Sequence, residues 1–137
     1  VSRRRSTQAS APEVEICYSF GFDAAHRFPA MPPGHRYRSL HGHSFRAEVA
    51  IRGVPHARTG FVADFARLER ACAKLRAQLD HALLNEVPGL GAPSLENLSV
   101  WIWRRLAARF PGLSRVTVRR DSLGQSCTYL GPRPPQR

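Results

Sequence analysis

Cysteine is scarce here and poorly placed for a framework. The 137 residues contain three, Cys17, Cys72 and Cys127. An odd number without metal-type or redox spacing argues against a disulfide scaffold and against a thiolate zinc site. Long apolar runs are missing too. No stretch approaches the ~20 residues that a membrane-spanning helix needs, and the first residues do not read as a secretory leader. A reducing cytoplasm is the expected setting. No internal repeat is present, which removes solenoids and propellers. Acidic residues are also few, 10 against 21 Lys and Arg, for a net charge of +11. Five arginines, Arg3, Arg4, Arg5, Arg133 and Arg137, lie in the Pro-, Ser- and Arg-rich ends, leaving the body at +6. The ends, residues 1–12 and 132–137, read as disordered tails around one domain over 13–131. A basic surface suits an anionic substrate or nucleic acid. No recognised nucleic-acid motif accompanies the charge, so nucleic acid is not the expected partner.

What is present is globular. Apolar residues make up 42% of the chain, enough for a core at this length. In VEICYSFGF, residues 14–22, strict alternation puts Val14, Ile16, Tyr18, Phe20 and Phe22 on one side of a strand. Residues 41–52 alternate again, with Phe45, Ala47, Val49 and Ile51 facing one way and Arg46, Glu48 and Arg52 the other. Asp64 is placed to cap a helix over 65–79 whose stripe runs Phe65, Leu68, Cys72, Leu75 and Leu79. Ser94 caps a second helix near 95–110, carrying Leu95, Leu98, Trp101, Ile102 and Leu106 and stopped by Pro111. Residues 115–120 and 126–130 read as two short final strands. The order ββααββ implies an α+β fold, an antiparallel four-stranded sheet with two helices on one face.

Histidines concentrate the chemistry. His41 and His43 are two apart on a strand and share parity with Phe45, Val49 and Ile51, so both rings leave the apolar face. His26 continues the alternation of the first strand on the side of Phe20, Phe22 and Ala24. All three are expected to converge on one partly buried patch. Three neutral imidazoles with an open fourth position form a catalytic type of zinc site, able to polarise a substrate oxygen.

Several segments in register resemble one family. FDAAH at 22–26, LHGHSF at 40–45, GFVADF at 60–65, LDHALLN at 79–85, PSLENLSVWIW at 93–103 and CTY at 127–129 are similar to the 6-pyruvoyltetrahydropterin and 6-carboxytetrahydropterin synthases. The bacterial branch serving 7-deazapurine (queuosine) synthesis looks closest. The resemblance implies a tunnelling fold, in which sheets of several subunits close a barrel, and a homohexamer built from two trimers. It implies that His26, His41 and His43 hold Zn2+ and that zinc grips the side-chain hydroxyls of a dihydropterin.

The resemblance also implies catalytic and binding groups. Asp80 and His81 match the family's proton-transferring pair; the alternative is a helix-end cap beside a histidine favoured by the helix dipole. The family's cysteine, four residues ahead of the HGH, is here Tyr37, and the glutamate of a retro-aldol branch, three ahead, is Arg38. Tyr37 is the candidate replacement, workable if a nearby cation lowers its pKa, and His35 is a further conceivable base. Arg38 suits a phosphate or carboxylate and cannot be a base. For the carboxylate that accepts the ring's amino-pyrimidinone edge, counting back from Tyr129 gives Asp121 and counting forward from Val118 gives Arg120. Asp121 is preferred on chemical grounds, against the plain reading of a turn aspartate. Ser94 and Glu96 match residues that seat the ring, and helix capping explains both equally well. Trp101 and Trp103, at helical spacing, suit core packing better than a base-stacking platform.

Three functions are thereby open. The first is a zinc-dependent lyase acting on 7,8-dihydroneopterin triphosphate, and the second a zinc- and pterin-binding protein without catalysis. A basic nucleic-acid-binding domain ranks last.

Overall fold

The computed structural model describes residues 11–133. The two expected tails lie outside these residues, apart from Ala11 and Pro12 at the inner end of one and Pro132 and Arg133 at the inner end of the other. Four strands and two helices follow in order: β1 Val14–His26, β2 His41–Gly53, α1 Phe65–Leu79, α2 Leu95–Leu106, β3 Leu113–Arg120 and β4 Gln125–Tyr129. The strands form one antiparallel sheet in the order β1-β2-β3-β4.

Register carries the alternation of each strand into its neighbour. Phe22 stands opposite Phe45 and Phe20 opposite Ala47, then Ala47 opposite Val118 and Val49 opposite Val116. These residues are buried together under both helices. Helix α1 contributes Leu68, Ala71, Cys72, Leu75 and Leu79, and α2 contributes Leu95, Leu98, Trp101, Ile102 and Leu106. The other face is polar. There Arg115 bridges Glu15 and Glu48, and Thr117 shares a hydrogen bond with Thr128 at 2.9 Å. A sheet with one apolar and one polar face needs helices on only one side.

Both expected caps form. The Asp64 carboxylate accepts from the Ala66 N–H at 2.9 Å, and the Ser94 hydroxyl accepts from the Asn97 N–H at 3.1 Å. The second helix is shorter than its pattern implies, ending at Leu106 rather than near 110. Pro111 disfavours helical geometry at the residue before it, and Phe110 instead turns into the core, with only 3% of its surface exposed. Phe65, expected on the buried stripe, sits at the first helical position and is exposed. Val14, the first residue of β1, is exposed as well. β3 and β4 begin earlier than expected, at Leu113 and Gln125. Trp101 is core, its indole N–H donating to the Pro88 carbonyl at 3.0 Å, and half-buried Trp103 meets Tyr129 edge-on. Where the chain enters β3, a Cβ on Gly112 would lie 2.6 Å from the Arg52 carbonyl oxygen, so this close approach demands glycine. Among the described residues no helix is long and apolar enough to cross a membrane.

Leu98 is fully buried between α2 and the sheet. Leu98→Ala is expected to lower unfolding free energy by about 2–5 kcal/mol, read as a drop in the denaturant midpoint at unchanged slope.

Candidate metal centre and adjoining cavity

The β1–β2 register places Ala24 opposite His43 and His26 opposite His41. All three imidazoles therefore emerge at one end of the sheet on its helix-covered face, past the Phe22–Phe45 pair. Their ring centroids are 4.6 Å apart for His26–His41 and 5.0 Å for the other two pairs, with planes steeply inclined to one another. One nitrogen from each lies within 4.8 Å of the others.

Hydrogen bonds fix which nitrogen is free. His26 is fully buried, and its Nδ1 lies 2.9 Å from the Pro93 carbonyl oxygen. A carbonyl only accepts, so Nδ1 carries the proton and Nε2 keeps its lone pair. That Nε2 is buried and has no partner. His41 Nδ1 donates in the same way to the Ser39 carbonyl at 2.7 Å, freeing its own Nε2. A ligating histidine commonly donates its second N–H to a carbonyl, which sets its tautomer. Burial pushes the His26 pKa down to about 4. Burial, followed by the charges of Arg120 and His41, lowers that of His43. Neutral imidazoles are what a zinc ion requires. The orphaned Nε2 of His26 and the two carbonyl-anchored rings fit zinc, with a fourth coordination position left for water or substrate.

A cavity of about 540 Å³ opens beside the triad. His41, His43, Tyr37, Ser94, Glu96 and Arg120 line it, with Phe28, Met31, Leu95 and Leu123 as apolar wall and Arg36 and Gln125 completing it. Tyr37 is partly exposed, packs edge-on to His35 at 4.6 Å, and has the Arg36 guanidinium 5.5 Å from its ring centre. Ser94 and Glu96 thus face the cavity while also serving the helix start.

The remaining candidates lie elsewhere. Arg38 donates to the Met31 carbonyl at 3.1 Å and does not line the cavity. Asp121 follows the end of β3, outside the cavity, and pairs with Arg46 at 3.1 Å. Parity explains this: Arg120 shares the helix-covered face with Val118, and Arg46 points to the opposite face. Asp80 and His81 form their pair, with Oδ2 2.9 Å from Nδ1, but at a second, shallow depression lined by Asp23, Ser44 and His43. His43 therefore stands between the two. The Asp80 carboxylate accepts from the Asp23 N–H at 2.9 Å, which with the His81 hydrogen bond holds its pKa below the usual carboxylate range. His81 adopts φ 58° and its N–H donates to the Asp23 carbonyl at 2.6 Å. This left-handed turn, sparsely populated by non-glycine residues, fastens the loop after α1 to β1 beside the histidines. None of the three cysteines lines the cavity. Buried Cys72 has its thiol pKa pushed up to about 12 by burial.

Residue-type reasoning passes over Arg36, Gln125 and Asn85. Asn85 clamps the backbone just after His26, accepting from the Arg27 N–H at 3.0 Å and donating to its carbonyl at 2.9 Å. Gln125 is recoverable by parity, since it pairs with Arg120. Arg36 opens a single 3-10 turn, Arg36–Arg38, too short for periodicity to carry a signal.

A family model described as 6-pyruvoyl tetrahydropterin synthase matches residues 15–132. The chain belongs to this family. Within the 6-pyruvoyl tetrahydropterin synthase family it is 36% identical over 124 residues to the 6-carboxy-5,6,7,8-tetrahydropterin synthase of Synechocystis sp., covering 86% of this chain and 94% of that one. It is 33% identical over 100 residues to the dihydroneopterin monophosphate aldolase of Pyrococcus furiosus, covering 73% and 81%. The 6-pyruvoyl tetrahydropterin synthase of Caenorhabditis elegans superposes with a TM-score of 0.79 at 23% identity, over 89% of this chain and 98% of that one. The fold is therefore the tunnelling fold expected for the family.

Two outcomes follow for the triad. Purified protein is expected to hold about one zinc per chain, and His26→Ala to hold much less, as read by elemental analysis. For metal-free protein, His26 protonates in the unfolded chain below its ordinary pKa near 6.5 but in the folded chain only near 4. The unfolded state binds more protons across that window, so stability falls as pH drops from about 6.5 towards 4; His43 adds the same sign. Urea midpoints measured across this range should decline, and a flat profile would show that His26 does not titrate as its burial requires.

Proposed function

We propose that this protein is a zinc-dependent pterin lyase of the 6-carboxy-5,6,7,8-tetrahydropterin synthase type, acting on 7,8-dihydroneopterin triphosphate in queuosine or related pterin biosynthesis. The observation that carries this reading is the meeting of three histidines, with free Nε2 atoms on His26 and His41, at a cavity that also holds a carboxylate and two arginines. Similarity to the Synechocystis sp. synthase over nearly the whole chain supports it.

When bound, zinc supplies a Lewis acid that polarises the hydroxyls of the substrate side chain. The chain's own groups do the rest. Glu96, the carboxylate that lines the cavity, accepts hydrogen bonds from the ring's amino-pyrimidinone edge, the role that chemical preference gives to Asp121. Phe28, Met31, Leu95 and Leu123 cover the ring and exclude water. Asp80 holds His81 with its Nδ1 protonated, leaving Nε2 to exchange a proton with the side chain from the far side of His43. Tyr37 supplies a hydroxyl on the cavity side, beside the Arg36 guanidinium. Assembly into a homohexamer is part of the same reading. Among the described residues β4 is paired on one side only, and the outer edge of β1 meets another segment only near its end, at the Ala25–Leu83 bridge; unpaired edges invite closure by further copies.

A second reading, a zinc- and pterin-binding protein without catalysis, is favoured by one observation: the loop before His41 offers Tyr37 and Arg38 where the family resemblance calls for a cysteine or a glutamate. Product analysis separates the two. Zinc-loaded protein incubated with 7,8-dihydroneopterin triphosphate is expected to yield a tetrahydropterin, and His41→Ala none. Tyr37→Phe is expected to slow turnover by about 10²–10⁴-fold while leaving binding intact. Unchanged substrate despite binding and full zinc occupancy would remove the lyase reading for this substrate and leave a binding protein or an enzyme for a different pterin. Light scattering should report six chains, and a monomer would remove the assembly.

A further inference from the structure

Arg120 ends β3 on the helix-covered face, in line with Val116 and Val118. It stands opposite Gln125, and both side chains line the cavity with His41 and His43. Its Nε is buried without a hydrogen-bond partner. Three other arginines of the sheet are matched: Arg46 by Asp121, Arg52 by Glu13 and Glu15, and Arg115 by Glu15 and Glu48. Arg120 enters no ion pair among the described residues.

A guanidinium cannot shed its proton to escape this situation. A charged donor held away from water and left unmatched is costly, and such groups commonly mark a place where something else completes the bonding. Nearby charges sharpen the point. Arg120 lines the same cavity as His41 and His43 of the triad. Once the triad holds a divalent cation, this end of the cavity is strongly positive, with Glu96 the carboxylate lining the same cavity. An amino-pyrimidinone edge offers N–H donors, which would face donors at Arg120. A planar pair of anionic oxygens fits instead, because the guanidinium fork bonds it with two parallel N–H donors.

We propose that Arg120 is the specificity-determining residue of this cavity and receives a carboxylate or phosphate of the ligand beside the histidine triad. The inference rests on the cavity being the pterin site. It turns the ring's amino edge towards Glu96 and the acidic group towards Arg120, and it makes an acid-bearing pterin a better ligand than an uncharged one.

The test is calorimetric titration of the zinc-loaded protein with uncharged 7,8-dihydroneopterin, its monophosphate and 6-carboxypterin, in parallel with Arg120→Gln and Arg120→Lys. Arg120→Gln is expected to weaken the acid-bearing ligands by about 10–100-fold, the worth of a charge-assisted contact, with uncharged dihydroneopterin unaffected. Arg120→Lys, which keeps the charge and loses the fork, should fall between. Loss confined to the monophosphate identifies a phosphate, and loss confined to 6-carboxypterin identifies a carboxylate; either supports the proposal. Equal weakening of all three ligands, or of none, overturns it. Thermal melting of the unliganded variants separates a folding defect from a binding one. If no pterin binds the wild-type protein, the pterin reading fails by itself, and inorganic phosphate becomes the probe. A phosphate-induced rise in melting temperature that Arg120→Gln abolishes upholds the anion site, and an identical rise in both proteins removes it.

Discussion

The pairing of β1 with β2 is the constraint on which the rest depends. His26 and His41 are 15 residues apart in the chain, and the ladder sets them directly opposite each other. A strand alternates with period two, so a slip of one residue would send His41 and His43 to the polar face and expose Phe45, Ala47 and Val49. The residues that would be exposed are the ones that forbid the slip. Phe45 has 3% of its surface exposed and Ala47 and Val49 none. The hydrophobic core thus positions the three histidines, and Phe22 stacked on Phe45 at 5.1 Å forms the floor from which the imidazoles rise.

Around that floor the irregular segments act as braces. Pro93 orients His26 from the turn before α2, and Ser39 orients His41 from the loop before β2. Asn85 clamps Arg27, and the Asp80–His81 turn fastens to Asp23. Each brace is a single hydrogen bond or a reciprocal pair between a loop and the ends of two strands. Separately they are modest, about 0.5–1.5 kcal/mol for an ordinary hydrogen bond. Their value lies in direction, since an imidazole whose second nitrogen is engaged has one tautomer and a narrow range of ring angles.

The sequence is most legible where periodicity is strongest. Alternation in 14–22 and 41–52 defines the strands, the parity of the three histidines and their convergence. The stripe ending in Leu79 and the caps at Asp64 and Ser94 define both helices. Periodicity fails where structure is not periodic. Phe110 leaves the helical pattern because Pro111 follows it, so α2 is shorter than its apolar stripe suggests. The choice between Arg120 and Asp121 turns on a single residue, and chemical preference favours the carboxylate. Parity, which already places the histidines, points instead to Arg120: it lies two residues beyond Val118 on the same strand, and Asp121 pairs with Arg46. Arg36 and Asn85 sit in short 3-10 turns within the connections, where the chain's path must be known before a side chain can be placed.

The turn through Pro93 and Ser94 performs three tasks within two residues. Its carbonyl steers His26, its hydroxyl starts α2, and its side chain walls the cavity. Histidine cluster, helix origin and cavity wall are consequently one mechanical unit. A displacement of α2 relative to the sheet drags the His26 ring with it, and a rotation of that ring pulls on the helix. The site therefore behaves as a fixed jig, with the histidine geometry and the width of the cavity set together, and adaptation to shape is left to the guest molecule.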